Sequence, residues 1–324
     1  MSLLASDSWR VPVDVGRVVS VDPWRRGAVA VRVGRGTVRR AEPGPAGALV
    51  YEARGDGAGV ALEVWGPPAT PSADAEAALH AARGWAGLHD DPAGFAEVAL
   101  RHPVLTELAL RLGTPLLSRL PRVAEAVGRA VVAQLVQGVE AGRSIARVSA
   151  LLGTPVPAAL GSGGAGGLWT WPTAAAVGAT PAWRLRPCGV SLRGVRALHA
   201  AAVADDRLTE AAAAADWPLL DRLLRGLPGV GAWTSAETRL ALGDADAVSV
   251  GDYHLPSVIG TALAGPRRGG RGAWTDADLL EVLAPFAPHR GRVIRLLESA
   301  AVRGLVPRPA RRAPRAALSA HRYW

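Results

Sequence analysis

Leu227-Pro228-Gly229-Val230-Gly231 separates two amphipathic stretches, Trp217 to Gly226 and Ala232 to Leu242. Proline, two glycines and the flanking helical periods predict a tight turn between two helices, which constrains the fold more than any other segment. Gly229 and Gly231 are expected to allow φ > 0 and close approach of the backbone. The N–H groups opening the second helix can then face an anion, where the helix dipole also favours negative charge. Turns of this composition also occur as plain connections, so the turn alone leaves both readings open.

Asp252, in Val250-Gly251-Asp252-Tyr253-His254, follows at the mouth of the next helix. An aspartate there is ordinarily an N-cap. Two further blocks accompany it: Arg129-Ala130-Val131-Val132-Ala133-Gln134-Leu135-Val136, at a helix end, and Phe286-Ala287-Pro288-His289-Arg290. Together with LPGVGAWTS these three blocks resemble the helix-hairpin-helix DNA glycosylase superfamily, most of all the 3-methyladenine DNA glycosylase II type, in the family's order over residues 90 to 305.

The resemblance implies a set of site residues. Asp252 would be catalytic. Gly229, Val230, Gly231 and Thr234 would meet the DNA backbone, with Gln134 and Leu135 at the minor groove, Leu135 as the wedge that fills the gap left by an extruded base. Trp233, Tyr253, Phe286 and His289 would line the base pocket, aromatic faces attracting a cationic base. His289 and Glu237 depart from the pattern: His289 stands where close relatives often carry an aromatic, and Glu237 one helical turn after Trp233, where an aromatic can also occur. Asp246 matches a second acidic position and reads as a loop organiser.

The chemistry of the residues leads the same way. A glycosidic bond normally needs one carboxyl to protonate the leaving group and another to stabilise the cation or activate water. An N3- or N7-alkylated purine already carries positive charge, so a single carboxylate suffices. Bifunctional members of the superfamily carry a lysine at the position of Trp233, which attacks the sugar as an amine. Trp233 cannot do so, and the chain contains no lysine: all its Lys+Arg residues, 37 in number, are arginine. A monofunctional glycosylase acting on alkylated purines in duplex DNA, as a monomer, is therefore expected. Another damaged or mismatched base, or a DNA-damage-binding module without turnover, is the alternative.

A net charge of +9 and a pI near 11.1 favour a polyanionic partner. The single Cys188 excludes an intrachain disulfide and a four-cysteine zinc or iron–sulfur site, and reads as a small buried hydrophobe; no metal or cofactor is expected. No apolar run approaches the roughly 18 residues that span a bilayer, and the N-terminus lacks a signal-like pattern, so a cytoplasmic, nucleoid-associated protein is expected.

The fold class expected is α+β: an N-terminal antiparallel β-sheet with helices, then an all-α domain carrying the hairpin. Apolar alternation at Val29, Val31, Val33, then Leu49 to Tyr51, then Val60, Leu62 and Val64 predicts the sheet. An Ala-rich helix runs from Ser72 to near Gly84, and helices broken by Gly and Pro continue from Pro92, with Gly161 to Gly167 a flexible loop. The boundaries expected are 1–110, 111–306 and a basic tail, 307–324. Trp169, Trp171 and Trp183 read as core or loop packing.

Overall fold

The computed structural model describes residues 1–10, 14–19, 21–22, 26–34, 36–55, 58–157, 167–266 and 273–307. Most of the expected glycine-rich loop and nearly all of the basic tail lie outside the described residues.

Five strands, β1 (Ser2–Trp9), β2 (Ala30–Gly34), β3 (Thr37–Gly44), β4 (Gly47–Gly55) and β5 (Val60–Gly66), form one sheet in the order β1-β5-β4-β3-β2. Every pair is antiparallel, with Gly44 opposite Gly47 across the β3–β4 turn and Ser2 opposite Gly66 at the sheet end. Burial alternates along β5, where Val60, Leu62 and Val64 face inward. The central strand β4 is covered on both sides. Leu49, Tyr51 and Ala53 pack with Ala78, Ala82 and Trp85 of α2 (Ser72–Trp85), while Val50 packs with Val156 and Leu168. A short helix, α1 (Val15–Val18), adds Val15 to the α2 side.

Two strands escaped the periodicity reading. Segment 2–9 contains three serines and an aspartate, so its apolar alternation is diluted. Strand β3 carries Arg39, Arg40 and Glu42, of which Arg40 and Glu42 are 2% exposed. Charged residues buried in a strand look like surface in the sequence.

The remaining helices build two cores. The first contains α5 (Val123–Val132), α6 (Gly138–Leu152), α7 (Ala174–Gly178), α8 (Ala182–Leu185), α9 (Leu192–Val203), α10 (Asp205–Ala213) and α11 (Trp217–Arg225), packed around Trp171. The second contains α3 (Phe95–Ala99), α4 (Pro103–Leu112), α13 (Leu255–Ala264), α14 (Asp276–Leu283) and α15 (Arg290–Val302). Helix α12 (Ala232–Ala241) packs against α5 and α11. Polar starts delimit these helices: Ser191 accepts from Gly194 N–H, Asp216 from Leu219 N–H, and Thr275 with Asp278 forms a capping box. Phe95, Val98, Leu105 and Leu108, which follow α2, join helices at the far end of the chain.

Arginine–carboxylate pairs lock the sheet to α5. Arg40 bonds Glu42 and Glu125, Arg122 Nε lies 2.8 Å from Glu42, and Arg129 Nη2 lies 2.8 Å from Asp22. Glu125 and Arg40 are almost wholly buried, so each charge depends on its partners for the hydration it has lost. Trp171 is fully buried, Trp169 is half-buried beside Pro155, and Cys188 is buried. Trp183 differs from the expectation: α8 leaves it 72% exposed, because that short helix turns Ala182 and Leu185 toward the core instead.

Candidate active site

The hairpin forms as its sequence predicts, with α11 ending at Arg225 and α12 starting at Ala232. Gly229 sits at φ +85°, and an added Cβ would come within 3.2 Å of the Arg193 carbonyl oxygen. Gly231 differs from the expectation: its φ is −104°, within the range of any residue, and a Cβ there would meet nothing within 4 Å. The absence of a side chain at Gly231 instead leaves open space in front of α12, whose start has no side-chain cap. First-turn N–H groups without a cap are the donors that an anion can satisfy. Val230 turns inward, 7% exposed, and its N–H donates to Leu227 O. The turn is held by Ser235 Oγ, which donates to Asp221 Oδ1 at 2.6 Å across the two helices.

Past α5 the chain turns sharply before α6, and Leu135 stands at the turn with φ +59° and 92% exposure. An apolar residue in the left-handed region, costing about 1–2 kcal/mol, with its side chain in solvent is doubly unfavourable. Gln134 fastens this turn to the hairpin: its Nε2 donates to Gly229 O at 2.9 Å and to Thr234 Oγ1 at 2.8 Å. Gln134 and Thr234 are thereby used inside the protein. Thr234 is 3% exposed, so it does not face a DNA backbone directly but braces the residue that carries Leu135.

Asp252 lies where the chain crosses from α12 to α13, and so from the first helical core to the second. Gly251, at φ +92°, makes the bend that presents it, and Gly251 N–H donates to Asp276 Oδ1 at 3.1 Å. Asp252 Oδ1 accepts from the N–H groups of His254 and Leu255, both at 2.8 Å, which fixes it at the mouth of α13. Asp252 Oδ2 accepts from Trp233 Nε1 at 3.2 Å. The carboxylate is half-buried, its orientation set by three donors, at the N–H edge of an indole. Tyr253, next in sequence, is 63% exposed with its ring edge-on to His254.

Phe286 and His289 correct the expected pocket. Phe286 is 4% exposed in the second helical core with Phe95 and Leu297. His289 is 6% exposed, its ring edge-on to Phe95. Arg292 Nε, a donor only, approaches His289 Nδ1 at 3.3 Å, so the ring proton resides on Nε2 and is donated to Ala93 O at 2.9 Å. Both ring nitrogens are occupied, and neither side chain is open to a base. The segment is a rivet. Arg292 also bonds both carboxylate oxygens of Asp90, at 2.5 and 2.8 Å. Arg290 holds Asp246 through its backbone N–H, Nε and Nη2, at 3.1, 2.9 and 2.5 Å, which places the loop leading to Asp252 as expected of an organising aspartate.

Glu237 belongs to the same site. It lies one turn after Trp233 on α12 and accepts a hydrogen bond from Ser249 Oγ, on the loop that presents Asp252. Arg295 Nη2 of α15 is 3.9 Å from its other oxygen. Burial pushes the Glu237 carboxyl above the usual carboxylate range; the Arg295 charge and the Ser249 bond oppose this, and the charges of Glu298 and Asp252 reinforce it. Its spacing from Trp233 marked the position in the sequence, while its bond to Ser249 and its approach to Arg295 appear only in the fold.

The architecture matches that of solved DNA glycosylases. The 3-methyladenine DNA glycosylase from Archaeoglobus fulgidus is similar over 83% of this chain and 88% of its own, with a TM-score of 0.69 and 18% identity. The Clostridium acetobutylicum 8-oxoguanine glycosylase/lyase, solved with double-stranded DNA containing cytosine opposite 8-oxoguanine, is similar over 90% of each chain, with a TM-score of 0.63 and 12% identity. The fold is that of the helix-hairpin-helix DNA glycosylases. No family model and no curated protein matches the sequence. Among the described residues no helix of this glycosylase-fold chain is long and apolar enough to cross a membrane.

Proposed function

We propose that this protein is a monofunctional DNA glycosylase that releases alkylated purines from duplex DNA. The observation that carries the reading is the Trp233–Asp252 pair. An indole and a fixed carboxylate meet at 3.2 Å, one suited to the face of a cationic base and the other to the positive charge that develops on the sugar. Leu135 enters the stack as the base leaves it, Gln134 transmits its position to the hairpin, and the N–H groups at the start of α12 hold a backbone phosphate. The C1′–N9 bond of the extruded nucleotide breaks with its electron pair returning to the purine, which neutralises the base. Water then bonds to C1′, and its proton passes to Asp252.

The product is an abasic site in an intact strand, since no lysine is present to form an imine. The deciding experiment incubates the protein with methylated DNA and identifies the bases set free. Release of 3-methyladenine or 7-methylguanine by the wild type, lost by about 10²–10⁴ in Asp252→Asn with damaged-DNA binding retained, is the expected result. Near-normal turnover by Asp252→Asn would overturn the mechanism, and binding without any release would leave a damage-binding module. Borohydride is expected to trap no covalent complex once the terminal amine is blocked; robust trapping after the block would refute the monofunctional reading.

A further inference from the structure

We propose that Glu237 is a second catalytic carboxyl, the proton donor that lets this site also release damaged purines carrying no positive charge. The proposal rests on the glycosylase reading and extends its substrate class. A neutral purine departs as a poor, anionic leaving group unless a ring nitrogen is protonated as the bond breaks, which is why glycosidic hydrolysis ordinarily uses a carboxyl pair. Asp252 cannot fill both roles, because the proton donor and the acceptor of the water proton must be different groups in the same step.

The geometry supplies the partner. Residues four apart share a helix face, so Trp233 and Glu237 point the same way from α12. Ser235 and Thr238, which turn away from that face, are buried. Both side chains reach the one loop that ends in Asp252: Trp233 bonds Asp252, and Glu237 bonds Ser249, whose carbonyl accepts from Asp252 N–H at 3.3 Å. The Glu237 side chain remains 29% exposed, so a base stacked beside Trp233 has access to it. The charged groups facing it are Arg295 and Glu298 from α15 and Asp252 from the loop. Burial raises the Glu237 carboxyl above its ordinary value, against the Arg295 charge and the Ser249 hydrogen bond, which lower it. In the step proposed, the Glu237 proton moves to a ring nitrogen of the purine as C1′–N9 breaks and its electron pair returns to the ring. The water oxygen bonds to C1′, the water proton goes to Asp252, and exchange with solvent restores both carboxyls.

Single-turnover release of hypoxanthine, a neutral purine, and of 7-methylguanine, a cationic one, is measured for wild type and Glu237→Gln, with melting temperatures recorded for both. The expected result is about a 10²-fold loss on hypoxanthine, at least about tenfold larger than the loss on 7-methylguanine. Wild-type hypoxanthine release is expected to decline as pH rises through the Glu237 titration, a decline absent from 7-methylguanine release. Equal losses on the two bases would show a structural role and overturn the proposal. Release of 7-methylguanine without hypoxanthine by the wild type would overturn it while leaving the glycosylase reading intact. Release of neither by the wild type would remove both.

Discussion

Leu135 concentrates two costs in one residue, a left-handed backbone and an apolar side chain in water, and neither is repaid within the free protein. Glycine at this position relieves the backbone cost of about 1 kcal/mol. Leu135→Gly is therefore expected to melt at an equal or slightly higher temperature while releasing bases more slowly from well-paired lesions than from destabilised pairs, where extrusion is easier. A large drop in melting temperature, or equal slowing on both substrates, would show that Leu135 serves folding. Asp252 illustrates the converse. Its contacts are those of an ordinary helix-capping turn, and only the indole at its second oxygen distinguishes it.

At the scale of elements, the hairpin separates a glycine needed for its backbone from a glycine needed for its emptiness. Gly229→Ala forces φ +85° on a residue with a Cβ and presses it toward Arg193, an expected loss of about 1–2 kcal/mol of stability. Gly231→Ala fits the free protein, at a cost below about 1 kcal/mol for the poorer helix start, yet places a methyl group in the open space before α12. The expected result is a near-normal melting curve with weakened binding to damaged and undamaged duplexes alike, measured by fluorescence anisotropy across salt concentrations. Unchanged affinity would mean that the start of α12 holds no phosphate. The segment from Phe286 to Arg292 shows how a motif can keep its place in the chain while performing a different task. Its neighbours Asp90, Ala93 and Asp246 turn it from pocket lining into a brace for the Asp252 loop.

For the whole molecule, the ion cluster between sheet and helices governs acid tolerance. Burial alone would raise the carboxyls of Asp22 and Glu42, but Arg129 with the Val29 and Ala30 N–H groups, and Arg40 with Arg122, outweigh it and hold both below their ordinary values. A depressed folded-state value supplies stability that is fully present above the unfolded values of 3.8 and 4.5 and drains as pH falls through the folded ones. Melting temperature is expected to hold from neutral pH to about pH 5 and to fall below about pH 4.5. Glu125→Gln, which leaves Arg40 short of a counter-charge, is expected to cost about 3 kcal/mol at neutral pH. A variant as stable as the wild type would show that the cluster contributes nothing to joining the two parts.

The hairpin, the helices around it and the position of Asp252 were legible in sequence because their signals are local: Pro and Gly fix a turn, periodicity fixes a helix face, and spacing along the chain places the acid. Strand β3 was not, because Arg40 and Glu42 become interior only when Glu125 and Arg122, eighty or more residues later, supply the opposite charges. His289 and Phe286 likewise depend on Phe95 and Arg292, and Glu237 on Ser249 and Arg295; sequence lists such partners without saying that they meet. The sequence by itself determined which residues could carry a glycosidic reaction, including the absence of a lysine nucleophile. Which of them face the site, and which brace it, was decided by tertiary packing, since burial and pairing are properties of neighbours brought together from distant parts of the chain.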